Sequence, residues 1–525
     1  MPTILVDNRE LTIAAGRRIN GIEAARLVGI EIPFYCWHPG LSVAGSCRMC
    51  LVEVGSRDPS TGKITMQGKL SPACSVVVSD HMVLVTQSEK VARARAMVEE
   101  DLLLRHPIDC PICDKAGECL LQDYHFQYGR PSRRADIRPF TSRRRDLGDV
   151  TLFVDRCVLC SRCVRFAAEI SGTNELMVTG RAAHEEIDVM AGYPLNNRLS
   201  GNVVDLCPVG ALGDKDFLYR QRVWFLRRHA GVCTGCSTGC SIWIEEHQER
   251  IWRIKPRENP FVNQWWICND GRYDYPHVHH PDRLAARVGA AGTTTAELLG
   301  ALRGAGRLAV LVSPFLTVEE AYLLCNLIRG IDADALLALG PTPTVGEDER
   351  FAKGFTVRAE KCPNRRGVEA VIAHFAHRVP TLDDLLAELD QGTVQGVWVS
   401  GGYKRPWVGQ ATARRFQRLK LLVVQDLFPS PISEVATHVL PGAAYAERDG
   451  SYVNRADRLQ SVRWAIRPPA GVRPEGGLYW ELLGRKGLYN SRAVLDDVAR
   501  EIPYFAAAAR AVPEFGIDLR ENLLA

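Results

Sequence analysis

A chain of 525 residues is too long for one hydrophobic core, so several domains are expected. Its 46% apolar and 24% charged content is that of an ordinary globular protein, and a net charge of +4 is too small to argue for a nucleic-acid partner. No run reaches the ~18 consecutive apolar residues of a membrane span, and the opening MPTILVDNRE lacks the basic stretch and apolar core of a signal peptide. A chain kept in a reducing compartment uses cysteine as thiolate, and an odd total of seventeen fits poorly with full disulfide pairing. Any membrane role is expected to come through a partner.

Ile4–Val6 and Leu11–Ile13 flank the polar turn Asp7-Asn8-Arg9-Glu10 and read as a hairpin. Asn20 is placed to cap a helix over Ile22, Ala25, Leu27 and Val28. Cys36, Cys47, Cys50 and Cys74 follow, with gaps of ten, two and twenty-three residues. The loop SVAGSCRMC is rich in small residues, which lets backbone N–H groups approach sulfur and stabilise its negative charge. A hairpin, a helix, three clustered cysteines and one distal cysteine suggest a 2Fe–2S ferredoxin domain. The first gap is longer than in plant-type spacing, so the domain is a relative of that type; a zinc site is the competing reading.

Lys90–Arg105 carries a helical pattern in Val91, Ala94, Met97, Val98 and Leu102, and delivers His106 at its end. HPIDCPICDKAGEC then gives His106, Cys110, Cys113 and Cys119. A lone histidine is more often structural, but here it completes a group otherwise one ligand short. From Arg130 to Arg145 there are seven arginines (Arg130, Arg133, Arg134, Arg138, Arg143, Arg144, Arg145). A solvated linker is the plain expectation, and a docking surface for another subunit the sharper one.

RCVLCSRCVRF gives Cys157, Cys160 and Cys163 at the spacing of bacterial ferredoxins, and CPVGAL supplies Cys207, followed by Pro208 as that pattern requires. With no second cysteine set nearby, Cys207 most simply closes the same site. CTGCSTGC and a distal cysteine make the fourth group: Cys233, Cys236, Cys240 and Cys268. The intervening SIWIEEHQERIWRIKP alternates like strand and predicts a small sheet. Trp265 and Trp266 are expected to pack beside the site, and the HVHH tract at 277–280 to face solvent. Fifteen cysteines and one histidine thus make sixteen candidate ligands in four groups of four, a conductor's layout more than a substrate pocket's.

Beyond residue 283, Leu308–Ser313, Leu336–Leu339, Gly396–Ser400 and Leu421–Gln425 read as buried strands, with helices such as Val318–Arg329 and Leu382–Leu389 between them. That alternation predicts α/β layers on a largely parallel sheet. Gly304 and Gly306 precede a strand and so form no dinucleotide fingerprint. Cys325 sits in an apolar helix and is expected in the core; Cys362 lies in a polar loop, where an isolated metal ligand is the less favoured reading.

With these residues in hand, the chain resembles the G subunit, the large iron–sulfur subunit, of bacterial NADH–quinone oxidoreductase (respiratory complex I), nearly end to end. PFYCWHPGLSVAGSCRMCLVEV, HPIDCPICDKAGECLLQD, RCVLCSRCVRF and DLCPVGAL carry the resemblance. It implies a 2Fe–2S cluster on the first group and 4Fe–4S clusters on the second and third, with His106 a ligand. The fourth group looks like an additional 4Fe–4S site found in some members, usually regarded as off the main electron path. Residues 423–460 are similar to the molybdopterin-binding oxidoreductase fold. Only 257 residues follow Cys268, which looks too short to enclose a pterin cofactor, so no molybdopterin is expected.

The resulting expectation is a multidomain α+β then α/β chain. A 2Fe–2S ferredoxin-like (β-grasp) domain spans 1–89, a His/Cys3 4Fe–4S segment 90–130, and a 4Fe–4S ferredoxin-like domain with basic linker 131–225. A 4Fe–4S domain of molybdopterin-oxidoreductase type spans 226–282, and a degenerate molybdopterin-oxidoreductase-like α/β domain 283–525. The function implied is an iron–sulfur electron-transfer subunit with one 2Fe–2S and three 4Fe–4S clusters and no catalytic residues of its own. It would pass single electrons from a flavin subunit toward quinone-reducing subunits, peripheral on the cytoplasmic face of the inner membrane through those partners. The same front end serving a formate dehydrogenase or hydrogenase is the alternative, and a zinc-binding interaction protein a third.

Overall fold

The computed structural model describes residues 1–132, 134–135, 143–287 and 294–522. The chain divides into two compact units: residues 1–225 with 351–353, and residues 226–350 with 354–525.

The first unit opens with a five-stranded mixed sheet. Its order is Arg9–Thr12, Thr3–Val6, Met82–Val85, Leu51–Arg57, Ile64–Pro72. Thr3–Val6 runs parallel to Met82–Val85 and antiparallel to Arg9–Thr12. The hairpin turn is shorter than the sequence suggests. Asp7 and Asn8 both adopt left-handed backbone (φ 44° and 66°), the tight turn whose twist matches the strands. Arg9 and Glu10 therefore belong to the edge strand, where one side is free for polar residues. Asn20 caps the helix Gly21–Leu27 in a capping box with Glu23. The helix buries Ile22, Ala24 and Ala25 in a core with Ile4, Val6, Val52 and Leu84. A mixed sheet crossed by one helix is the β-grasp arrangement.

Ser88 caps the helix Glu89–Arg105, and His106 is its C-terminal cap residue. A second helix, Leu120–Tyr128, follows directly on Cys119. The rest of the unit is a three-stranded antiparallel sheet (Arg144–Asp146, Val150–Phe153, Leu212–Asp214), a hairpin (Leu176–Thr179 with Glu186–Val189) and the short helices Arg162–Phe166 and Asn202–Leu206. Arg133 and Arg138 of the basic run lie outside the described residues. Four of the described arginines are paired, not merely solvated: Arg130 and Arg134 with Glu100, Arg143 with Asp155 and Glu186, Arg145 with Glu186 and Asp188.

The second unit begins with an antiparallel meander of Arg227–Val232, Ser241–His247 and Arg250–Pro256, turned at left-handed Gln248 and Glu249. Its main sheet is parallel throughout, in the order Leu336–Leu339, Leu308–Val312, Gly396–Ser400, Leu421–Asp426, His438–Pro441. Strand alternation assigns the two faces. Leu308, Val310, Val312, Trp398, Leu421 and Val423 pack with the helices Val318–Ile331, Arg365–Ala376 and Ser491–Glu501. Ala309, Leu311, Val397, Val399, Leu422 and Val424 face Leu385 and Leu386 of Leu382–Gln391. Both faces are covered, which is why these strands read as unbroken apolar runs. Among the described residues, no helix is long and apolar enough to cross a membrane.

One expectation is corrected in this unit. The HVHH tract does not all face solvent: the His277 side chain is 12% exposed, stacks near Tyr445 and bonds to the carbonyl of Asp274. Cys362 is fully buried against Phe315 and Tyr403 despite its polar sequence neighbours. Cys325 lies in the core as expected, with no exposure.

Candidate metal centres

Ligands of each predicted group lie near one another, although among the described residues no three His, Cys, Asp or Glu side chains are placed to hold a single metal ion. In the first, Cys36 shares hydrogen bonds with Cys47 and Cys74, and Cys50 shares one with Cys74. Cys36, Cys50 and Cys74 are buried. The connecting loop turns through left-handed Gly45 and Arg48, and the N–H of Tyr35 donates to Cys47 Sγ at 3.5 Å. The thiols of Cys47 and Cys74 stabilise Cys36 as thiolate, well below the usual thiol range, and are themselves pushed up by that sharing and by burial.

In the second group, a cavity of about 360 Å³ opens beside His106, Cys110 and Cys119, walled by Leu103, Ile108, Leu121 and Phe126. Burial, then the charge of Arg156, holds the His106 imidazole down at about 4, so it is neutral at physiological pH and able to ligate. Burial pushes Cys119 up to about 11 and raises Cys113. The loop bearing Cys110 and Cys113 is pinned from outside: Arg156 pairs with Asp109 at 2.9 Å and Arg222 donates to the carbonyl of Cys113 at 2.8 Å.

The third group lines one cavity with Leu152, Ile187 and Val209. Leu159 and Ser161 take left-handed backbone between the cysteines, and the N–H of Leu159 donates to Cys157 Sγ at 3.4 Å. Burial pushes Cys160 up to about 11, and Cys207 adds to that rise; Cys163 is raised further by burial and by its three sister thiols. Cys207 lies on the same cavity as the clustered three. The N–H of Leu120 donates to the carbonyl of Pro208 at 2.9 Å, joining the third group's distal end to the second group's last ligand.

In the fourth group all four thiols are buried. Cys233 and Cys240 are raised by burial and by mutual repulsion with Cys236 and Cys268. Gly235 donates its N–H to Cys233 Sγ at 3.4 Å. Buried Asn263 holds the site together, accepting from the N–H of Ser241 at 2.9 Å and donating to the carbonyl of Trp266 at 3.0 Å. Trp266 packs in the core beside Cys268, 1% exposed.

These donor sets fit iron–sulfur clusters: thiols gathered in apolar surroundings, with backbone N–H groups aimed at sulfur in the first, third and fourth groups. Glycine backs two of them. A β-carbon on Gly271 would lie 2.7 Å from Cys233 Sγ, and one on Gly210 would lie 2.1 Å from Cys113 Sγ. No comparable site exists among the described residues around Cys325 or Cys362, whose thiols are closed off in packing. The sequence reading missed Arg156, Arg162 and Arg165. The signal was present in RCVLCSRCVRF, where these three arginines alternate with the cysteines.

The first three groups also match known families. Residues 1–89 match the 2Fe-2S iron-sulfur cluster binding domain. Residues 95–134 match the NADH-ubiquinone oxidoreductase-G iron-sulfur binding region, and residues 149–213 the ferredoxin-like domain of NADH-quinone oxidoreductase subunit 3. The NADH-quinone oxidoreductase G subunit of Streptomyces coelicolor is 34% identical over 62% of this chain and 39% of its own length. The NADH-ubiquinone oxidoreductase 75 kDa subunit of Reclinomonas americana is 34% identical over 67% of this chain and 51% of its own. The chain is a homologue of the NADH-quinone oxidoreductase G subunit. It spans about half, or less, of the length of the relatives it matches. The NADPH-Fe(3+) oxidoreductase subunit alpha of Geobacter sulfurreducens is equally similar, 34% identical over 66% of this chain and 42% of that protein. A chain of a NAD+-reducing NiFe-hydrogenase is 27% identical, covering 42% of this chain and 91% of its own, with a TM-score of 0.35. Residues 226–280 match the molybdopterin oxidoreductase Fe4S4 domain and residues 381–484 the molybdopterin oxidoreductase family, so the order of modules is the one expected.

Proposed function

We propose that this chain carries single electrons through iron–sulfur clusters within an NADH–quinone oxidoreductase. The observation that supports it most is the run of three matched modules, with the thiols of the first and third drawn together and the second led by a neutral histidine. In this reading Cys36, Cys47, Cys50 and Cys74 hold a 2Fe–2S cluster. His106, Cys110, Cys113 and Cys119 hold a 4Fe–4S cluster; Cys157, Cys160, Cys163 and Cys207 a second; Cys233, Cys236, Cys240 and Cys268 a third. The module boundaries proposed are 1–89, 90–130, 131–225, 226–282 and 283–525.

A bound cluster supplies reversible one-electron transfer. The chain's own residues set the conditions for it. Apolar walls such as Leu152, Ile187 and Val209 keep water out, and N–H groups of Tyr35, Leu159 and Gly235 disperse the sulfur charge. Thiols raised by burial release protons as metal binds, so loading is coupled to pH. Electrons would arrive from a flavin subunit and leave toward quinone-reducing subunits, with the chain peripheral to the membrane on its cytoplasmic face through those partners.

An anaerobic iron and sulfide count with EPR tests the ligand reading. Full loading corresponds to about fourteen irons per chain, and a colourless, zinc-loaded preparation would overturn it. Rapid mixing with NADH tests the division of labour. The chain should be reduced only when a flavin subunit is present, and reduction of the isolated chain would sink that part. A second reading, the same clusters serving another NAD(P)H-linked complex, is favoured by the equal similarity to the NADPH-Fe(3+) oxidoreductase subunit. Co-purification with quinone-reducing subunits decides against it; stoichiometric molybdenum or tungsten would point to the formate-dehydrogenase type.

A further inference from the structure

One buried cation of the first unit has no carboxylate partner among the described residues. Arg162 is 6% exposed. Its Nη1 donates to the carbonyl of Leu206 at 3.0 Å and its Nη2 to the carbonyl of Trp37 at 2.7 Å. Its guanidinium lies 5.6 Å from the ring centre of Phe34. Its Nε is buried with no hydrogen-bond partner. Among the described residues no aspartate or glutamate pairs with it. Burying a guanidinium this way is costly unless negative charge lies close.

The two carbonyls identify where that charge sits. Trp37 follows Cys36 of the first group, Leu206 precedes Cys207 of the third, and Arg162 itself precedes Cys163. One side chain thus touches the backbone beside ligands of two different groups. Burial works against its charge, while the sulfurs of Cys160, Cys207 and Cys47 work for it. Arg165, one turn on, repeats the pattern from a less buried position. It donates to the carbonyls of Cys36, Ser42 and Cys160. Ser42 in turn donates its N–H to Glu169 at 2.9 Å, on the same stretch of chain as Arg165. These bonds tie the first thiol loop to the segment bearing the third.

We propose that Arg162 is a positioning residue that clamps the first cluster loop to the third and lends both clusters one shared positive charge. The proposal rests on reading both groups as iron–sulfur sites. A fixed positive charge favours the reduced, more negative state of any cluster near it, so it raises both reduction potentials together. It also holds the two loops at a fixed separation, which electron transfer between them requires.

The test is an EPR-monitored redox titration of the anaerobically purified full-length chain, with Arg162→Met and Arg162→Lys beside the wild type. In Arg162→Met the binuclear signal and the third-group signal should both move to lower potential while iron content stays complete. Arg162→Lys keeps the charge and loses the fork, and should return both signals to near their wild-type potentials. Unmoved signals in a fully loaded Met variant overturn the proposal, as does a Lys variant that shifts as far as Met. If Arg162→Met does not load its clusters, Arg165→Met takes its place: a smaller downward shift of the same two signals is expected, and unmoved signals overturn the shared-charge role. A wild-type chain lacking the binuclear signal would instead overturn the reading of the first group, so the two failures are distinguishable.

Discussion

Gly210 faces Cys113 so closely that a β-carbon on the glycine would sit 2.1 Å from the sulfur. Gly210 belongs to the CPVGAL segment that closes the third thiol group, while Cys113 belongs to the second. The two groups are therefore packed through bare backbone at this point, with Lys115 also within 3.2 Å of the same position. Gly210→Ala should displace Cys113 and cost the second cluster. The expected result is a loss of about four irons per chain with the binuclear signal intact. A Gly210→Ala chain with full iron and an unchanged second-group signal would show that Cys113 is free to move aside.

Arg448 organises a buried charge cluster in the second unit. It pairs with Glu320 at 2.9 Å and with Glu475 at 3.1 Å, all three side chains 3% exposed or less. Arg448→Met leaves two buried carboxyls without a cation, a change of about 3–5 kcal/mol against folding. For a unit of this size that corresponds to a drop of about 10 °C in its unfolding temperature, read by calorimetry. Adding Glu320→Gln and Glu475→Gln to Arg448→Met should recover most of the loss, because the penalty lies in unpaired charge. A triple variant as unstable as Arg448→Met alone would place the cost in lost packing.

Glu319 gives the second unit a pH dependence. The carboxyl is buried and accepts from the N–H of Ser451 at 2.7 Å, and burial holds it at about 7. A carboxyl raised in the folded state contributes stability that is complete below its unfolded value near 4.5 and is lost as pH rises through about 7. The difference is about 3 kcal/mol across that window. Asp426, at about 6, and Glu475, at about 7, are raised by burial in the same direction and steepen the same fall. Glu319→Gln should flatten the curve, gaining on the wild type at pH 8 and not at pH 5. Denaturant titrations at the two pH values make the comparison, and a variant that tracks the wild type at both would remove Glu319 from the effect.

The nearness of the cysteines within each group was legible in the sequence because it is met mostly by local spacing: two-residue gaps such as Cys157 to Cys160 place sulfurs on one side of a turn. Asn20 and the unbroken apolar strands were legible for equally local reasons, a cap and a two-faced burial. What escaped depends on residues far apart in sequence. Arg162 reaches Trp37 across 125 positions, and nothing near it in the chain announces that contact. Cys362 read as a polar loop because Glu360, Lys361 and Arg365 surround it, yet Phe315 and Tyr403 from distant segments bury it. The burial of His277 is hidden from the sequence for the same reason, since Tyr445 covers it from another part of the unit.

The histidine of the second group allows the sharpest test of ligation. His106 is neutral at physiological pH, held at about 4 by burial and by the charge of Arg156. A thiolate in its place would add one negative charge at the same point and leave the surrounding protein almost unchanged. Comparing different proteins confounds ligand identity with burial and hydrogen bonding, whereas His106→Cys within one chain holds those fixed. The added charge disfavours the reduced state, so the second-group signal should move to lower potential. Signals from the first and fourth groups should stay where they are. A redox titration of the purified His106→Cys chain, with its iron count unchanged, provides the measurement. If the second-group potential does not fall, His106 is not bound to the cluster, and its neutrality serves only the packing at the end of the Glu89–Arg105 helix.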